Sequence, residues 1–248
     1  MSELVRRQPH AVLDPRERRA KAEKIRHLLG LTSSAERSLR ILEVGTGSGA
    51  IANYFATCAE PKWEVEAVDV VDQRSVTQGY SFSLVNGVTL PFGDATFDVV
   101  ISNHVIEHVG EAAQQNGHLR EIARVLNDGG KVYLASPNRW QVVEPHFRLA
   151  FLSWLPRGLR SPYLALSGKG RFYDCEPLRM RQLEDMLDSA GLTYRNICVP
   201  ALHYVVEVEK SRSLLARVAG LFPDGLLYGL RRVCPTHIYL LHRTAPRL

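Results

Sequence analysis

The sequence predicts an α/β fold, a mostly parallel sheet with helices on both faces. Three observations carry this. An apolar run of strand length, Arg40–Val44, breaks into a glycine-rich turn that opens a helix. Strand-like and helix-like segments then alternate as far as Ser136. A carboxylate, Asp69, closes the second strand of that series.

The elements follow in order. Asp14-Pro15 is a helix start, with Asp as N-cap and Pro in the first turn, and Gly30 closes the helix. Ala22, Ile25 and Leu29 form a narrow apolar stripe along it. Residues 1–30 hold eight of the 31 basic residues and four of the 26 acidic ones, so most of the +5 net charge sits there. This predicts a solvated helix on the domain edge that says little about an active site. The sharper alternative is an arm for acidic or phosphate surfaces. Arg40–Val44 is the first strand, Ile51–Cys58 a helix, Val65–Val70 a second strand and Thr96–Ile101 another. Gly117–Leu126 is helical, with Leu119, Ile122, Ala123 and Leu126 on one face. Asn127-Asp128-Gly129-Gly130 stops it, and Lys131–Ser136 is a strand cut off by Pro137. Leu178–Ala190 is a helix capped by Gly191, and Thr193–Val199 and Thr236–His242 read as strands.

Two segments interrupt the alternation. Residues 139–176 are rich in aromatics, and residues 200–235 carry an amphipathic stretch, Leu214, Leu215, Val218, Leu221 and Phe222. The length of 248 residues, 45% hydrophobic and 23% charged, suits one large domain and excludes collagen, low-complexity disorder and a disulfide scaffold. Cys58, Cys175, Cys198 and Cys234 form no C-x-x-C pair and read as reduced thiols of a cytoplasmic protein. No apolar stretch approaches the ~20 residues of a membrane span, and the charged N-terminus lacks a secretory core.

The turn Glu43-Val44-Gly45-Thr46-Gly47-Ser48-Gly49 lets backbone approach a ligand without an intervening Cβ, with N–H groups at the helix start available to it. Asp69, twenty residues beyond Gly49, can accept both hydroxyls of a ribose. Together they predict an adenosine-containing ligand. A nicotinamide cofactor fits the turn as Gly45, Gly47, Ala50, but the tighter G-x-G-x-G spacing and the lack of a Tyr-x-x-x-Lys argue against it.

The stretches ILEVGTGSG, AVDV, LPFGDATFDVVISNHVIEHV and LREIARVLNDGGKVYLASPN resemble the class I S-adenosylmethionine-dependent methyltransferases, continuously over residues 38–138. The resemblance implies a Rossmann-like seven-stranded sheet with its last strand antiparallel. It implies S-adenosylmethionine as cofactor and S-adenosylhomocysteine as product. Glu43 would orient the methionine end, Gly45, Thr46, Gly47 and Gly49 would form the close-approach turn, and Asp69 with Val70 would hold the ribose. Asn86 and Gly87 stand where the family often has Asp-Ala beside the adenine; asparagine can still accept from the adenine amino group. Ser102 and Asn103 would line the methionine side.

Methyl transfer needs alignment and exclusion of water, and an oxygen acceptor of high pKa also needs a base. His146, His108 and His104 are the candidates. His104 and His108 are four apart and are expected to start a helix and share a face; with no third ligand in register, no metal is expected. His146 follows Glu144 in the first insertion, beyond the strand ending at Ser136. The insertions 139–176 and 200–235 are expected to form an acceptor cap around the core of 38–138, behind the basic segment 1–37. Trp154 and Tyr173 suit sugar stacking, while Phe151, Trp154, Arg157 and Arg160 suit shallow membrane contact. The expected reaction is methyl transfer to an oxygen of a small or lipid-linked metabolite, a sugar or a phenolic or quinone-like ring. The alternatives are a nucleic-acid methyltransferase using the basic helix, disfavoured by the lack of an Asn/Asp-Pro-Pro-Tyr/Phe motif, and a non-catalytic cofactor-binding protein.

Overall fold

The computed structural model describes residues 14–32, 38–60, 62–209, 218 and 220–244. Arg6 and Arg7 of the basic segment and Leu214 and Leu215 of the second insertion lie outside these. The main sheet has seven strands: β1 (Arg40–Val44), β2 (Glu64–Asp69), β3 (Ser81–Leu84), β4 (Phe97–Asn103), β5 (Leu126–Pro137), β8 (Leu192–Asn196) and β9 (Thr236–Arg243). The hairpin β6 (Val143–Glu144) and β7 (Leu149–Ala150) stands apart from it. The order is β3-β2-β1-β4-β5-β9-β8. β1 runs parallel to both β2 and β4, and β9 runs antiparallel to both β5 and β8. This is the seven-stranded arrangement with an antiparallel last strand. The strand order reverses at β1/β4, which opens a crevice at the carboxyl ends of these strands.

Burial on both faces explains the apolar strand runs. Ile41 and Leu42 are consecutive and point to opposite faces, yet both are fully buried. On one face, Ile41, Val99 and Tyr133 pack under α1 (Pro15–Leu28) and α2 (Ala50–Thr57), which contribute Ala22, Ile25, Leu29, Ile51 and Phe55. On the other, Leu42, Val100 and Tyr239 pack under α3 (Ala112–Val125) and α5 (Met180–Ser189) through Leu119, Ile122, Leu183 and Leu187. Each such buried aliphatic side chain contributes about 1.5–3 kcal/mol. The expected α1 cap forms: Asp14 Oδ1 accepts the Arg16 N–H at 2.8 Å, and Gly30 turns the chain at φ 65°.

Several boundaries differ from the sequence expectation. β3 went unread because SFSL is a short, half-exposed edge strand without an apolar run. Asn127–Gly130 does not separate helix from strand; β5 starts at Leu126 directly after α3, and the β4–β5 register shifts between Phe97 and Val99. β8 ends at Asn196, whose Oδ1 accepts the Cys198 N–H at 3.1 Å and starts α6 (Cys198–Glu207), with Pro200 in the first turn.

The first insertion holds the β6–β7 hairpin, a 3₁₀ turn Leu152–Trp154 and α4 (Arg157–Leu166). It has its own small core of Phe147, Leu152, Leu164, Tyr173 and Cys175. In the second, α6 packs on α1, β9 and the short helix Asp224–Gly229, and the Tyr204 ring lies 4.8 Å from His27. No described helix is long and apolar enough to cross a membrane.

Candidate active site

A cavity of about 960 Å³ opens at the crevice. Gly45, Gly47, Asp69, Val70, Gly87 and Asn103 line it, as do His104, His108 and His146. The turn after β1 is left-handed at Gly45, Gly47 and Gly49, with φ of 72°, 55° and 78°. A Cβ on Gly45 would stand 2.5 Å from Val105 Cγ2, so backbone there packs closer than any side chain permits. Asp69 braces the turn from the end of β2. Its Oδ2 accepts the Gly47 N–H at 2.9 Å and its Oδ1 accepts the Val70 N–H at 2.7 Å. Each oxygen keeps acceptor capacity for a ligand.

Other predicted positions stand behind the cavity wall. Glu43 is 3% exposed, and its Oε2 accepts from Thr46 Oγ1 at 2.6 Å and from the Ala52 N–H at 2.9 Å. It ties the turn to the start of α2, and burial pushes its carboxyl up to about 7. Thr46 and Gly49 belong to the same scaffold, and Asn86 is exposed beside Gly87. Ser102 is fully buried and meets the cavity through His118, whose Nε2 lies 3.0 Å from Ser102 Oγ. Burial pushes His118 down to about 4, so this lining ring is neutral at physiological pH.

Arg18 and Lys21 also line the cavity. This corrects the expectation that the basic helix has little to do with the site. The signal lay in the helical spacing: Arg18 and Lys21 stand four residues before the buried Ala22 and Ile25, on the flank of the same face. Burial lowers the Arg18 pKa against the opposing pull of Glu43, and burial with neighbouring cations brings Lys21 down to about 8. Two desolvated cations suit a carboxylate-bearing ligand. The glycine cradle, the Asp69 acceptor, this cationic pair and the apolar Val71, Val88 and Leu90 fit S-adenosylmethionine.

The opposite wall comes from the first insertion through Gln141, Val143, Pro145, His146 and Phe147. Glu144 is 1% exposed; its Oε1 lies 2.6 Å from His146 Nδ1 and its Oε2 accepts the Phe147 N–H at 2.8 Å. Burial works against a charged His146, but the Glu144 hydrogen bond and the charges of Glu144, Glu107 and Asp174 raise its pKa above the usual range. His104 and His108 do not share a helix face as expected. His104 turns left-handed at φ 59° to give its N–H to the Ala135 carbonyl, and only a 3₁₀ turn, Ile106–His108, follows before α3. Between them lies Glu107, fully buried, 3.3 Å from His104 Nδ1 and 4.0 Å from His108 Nε2. Burial opposes its ionisation, but the two imidazoles more than offset that and hold its pKa low. Tyr173 is 7% exposed beneath Phe147 and Arg160 is 1% exposed against Glu176, so neither belongs to an open aromatic or basic surface as expected.

Residues 42–134 match a family model described as a methyltransferase domain. A Mycobacterium tuberculosis protein named as a probable S-adenosylmethionine-dependent methyltransferase is 36% identical over 104 residues, 40% of this chain and 36% of that one. A ubiquinone biosynthesis O-methyltransferase of Parvibaculum lavamentivorans is 28% identical over 144 residues, 52% of this chain and 54% of that one. The chain thus spans about a third to a half of the length of these relatives. Among solved structures, phosphoethanolamine N-methyltransferase 2 of Haemonchus contortus with S-adenosyl-L-methionine superposes with a TM-score of 0.54 at 15% identity, over 91% of this chain and 52% of that one. The cyclase SpnF superposes with a TM-score of 0.53 at 18% identity, over 92% and 82%. Likeness at this identity concerns the fold alone, since one fold carries several chemistries. Residues 42–134 thus form a methyltransferase domain, and the glycine turn with its acidic partner and the sheet order are those of the class I S-adenosylmethionine-dependent fold.

Proposed function

We propose that this chain transfers a methyl group from S-adenosylmethionine to an oxygen of a small or lipid-linked metabolite, a sugar or a phenolic or quinone-like ring. The carrying observation is His146, backed by the buried Glu144, lining the same cavity as the glycine turn. Glu144 fixes the proton on His146 Nδ1, which leaves the lone pair on Nε2 to take the acceptor's proton. With the cofactor bound, the acceptor oxygen bonds to the methyl carbon as the carbon–sulfur bond breaks and its electron pair stays on sulfur. Gly45 and Gly47 would give the backbone close approach to the cofactor, Asp69 would hold the ribose, and Arg18 with Lys21 would pair with the carboxylate. Pro145, Phe147 and Val143 exclude water from the acceptor side. The similarity to ubiquinone biosynthesis O-methyltransferases supports an oxygen acceptor on a ring. Placement of two cations of the basic helix in the cavity supports a small acceptor over a nucleic acid.

A lipid-linked acceptor is supported by the surface of the first insertion. Trp140, Phe151 and Trp154 are each about 40–50% exposed and contiguous, with ring centroids 5.6 and 5.0 Å apart, and Arg179 lies 5.1 Å over Trp140. Such a group suits peripheral contact with a membrane interface. Calorimetry with S-adenosylmethionine and with NAD tests the cofactor. H146A should lower turnover on the acceptor by about 10²–10⁴-fold with cofactor affinity retained. Absence of S-adenosylmethionine binding refutes the reading, and an unchanged H146A rate removes the base.

A further inference from the structure

The acceptor wall gathers more than a base. Cys175 Sγ stands 3.6 Å from His108 Nδ1 and 3.9 Å from His146 Nδ1. The two rings meet edge to face with centroids 5.0 Å apart. One donor atom from each of the three residues lies within 4.8 Å of the other two. They come from separate parts of the chain: the 3₁₀ turn after β4, the β6–β7 loop, and the irregular stretch after α4. His108 and His146 face the cavity, and Cys175, 1% exposed, stands behind them.

We propose that His108, His146 and Cys175 form a binding site for a divalent metal ion of the zinc class, with a further coordination position open to the cavity for an oxygen donor of the acceptor. Two imidazoles and a thiolate are the donor set zinc favours, and three protein ligands with one open position mark sites that take substrate rather than closed structural ones. Both rings are backed by buried carboxylates, Glu144 on His146 Nδ1 at 2.6 Å and Glu107 toward His108 Nε2 at 4.0 Å. Carboxylates placed behind ligand imidazoles orient the rings and raise their basicity toward a metal. Asp174, next to Cys175, adds a third acidic group to the same wall. Zinc–nitrogen and zinc–sulfur bonds of about 2.0–2.3 Å set tetrahedral edges near 3.5 Å. With Glu144 on its Nδ1, His146 would coordinate through Nε2 and His108 through Nδ1, and side-chain rotation would bring the donors together.

A thiol–imidazole hydrogen-bond cluster is the plainer account of the same distances. It does not explain the convergence of three donors from separate segments on a substrate cavity. The use of the metal in catalysis rests on the oxygen-methylation reading. A coordinated hydroxyl ionises more readily, its proton passing to water in the cavity, so the ion would supply the activation that His146 supplies in the metal-free protein. Metal binding itself does not depend on that reading.

The full chain, stripped with a chelator, should be titrated with cobalt(II) and with zinc, while S-adenosylmethionine binding is followed on the same samples by calorimetry. The expected result is one ion per chain, with a thiolate-to-cobalt charge-transfer band. E144Q should weaken zinc by about 10–100-fold, and C175S should weaken it further and abolish the band. H108Q provides a second variant that keeps the thiol, and should also lose affinity. C58S, remote at the end of α2, should keep the band. Failure to bind either ion overturns the proposal. So does a band that survives C175S and disappears in C234S, because that places the metal at the neighbouring Cys198 and Cys234. Metal bound without any S-adenosylmethionine affinity would sink the function proposed above and leave the metal site standing; the reverse result would do the opposite.

Discussion

Replacing Glu43 by glutamine should remove the pH dependence that this buried carboxyl gives to folding. Both hydrogen bonds to it fall on one oxygen, Oε2, from Thr46 Oγ1 and the Ala52 N–H, so the glutamine carbonyl can take that place and keep both. Burial holds the pKa of the folded carboxyl at about 7, against about 4.5 for an ordinary glutamate. Between these values the folded chain holds a proton that the unfolded chain has lost, so stability falls as pH rises. The stabilising contribution is complete below about 4.5 and is lost as pH passes about 7. The shift corresponds to about 3 kcal/mol across that window. Urea unfolding of the ligand-free protein at several pH values from 5 to 8 measures it. E43Q should lack this falling slope and should exceed the wild type in stability at pH 8, with m unchanged. Equal pH slopes in the two proteins, or an E43Q less stable at pH 8, would refute the burial argument.

The remaining predictions concern the cofactor side. D69A removes acceptors for the Gly47 and Val70 N–H groups as well as for the ribose, and S-adenosylmethionine affinity by calorimetry should fall about 100-fold or more. The R18A/K21A double variant should lose about 10–100-fold in the same measurement with little change in melting temperature, and a change confined to melting would show that these cations only support α1. Lys21, at about 8, loses its charge as pH rises past that value, so cofactor affinity should decline there and K21R should hold it constant. G49A forces a side chain into the left-handed region and onto Tyr80 Oη and the Val76 carbonyl; thermal unfolding should show a loss of about 2 kcal/mol or more.

The central strands were legible because two-sided burial demands continuous apolar runs: β1 falls on the expected residues, and β2, β4 and β9 within a residue or two. The glycine turn and Asp69 were legible because a left-handed, close-packed backbone admits few other residues. The edge strand β3, the start of β5 at Leu126 and the early end of β8 were not, because pairing with neighbours decided them and no local pattern records a neighbour. The site divides along the same line. Sequence named His104, His108 and His146 and gave them a base's chemistry, but paired the first two on a helix that does not form. The approach of Cys175 to His108 and His146, the burial of Glu107 and the reach of Arg18 and Lys21 into the cavity join residues many tens of positions apart. Spacing along the chain sets local conformation and fixed this protein's class; packing alone determined which donors and charges face one another.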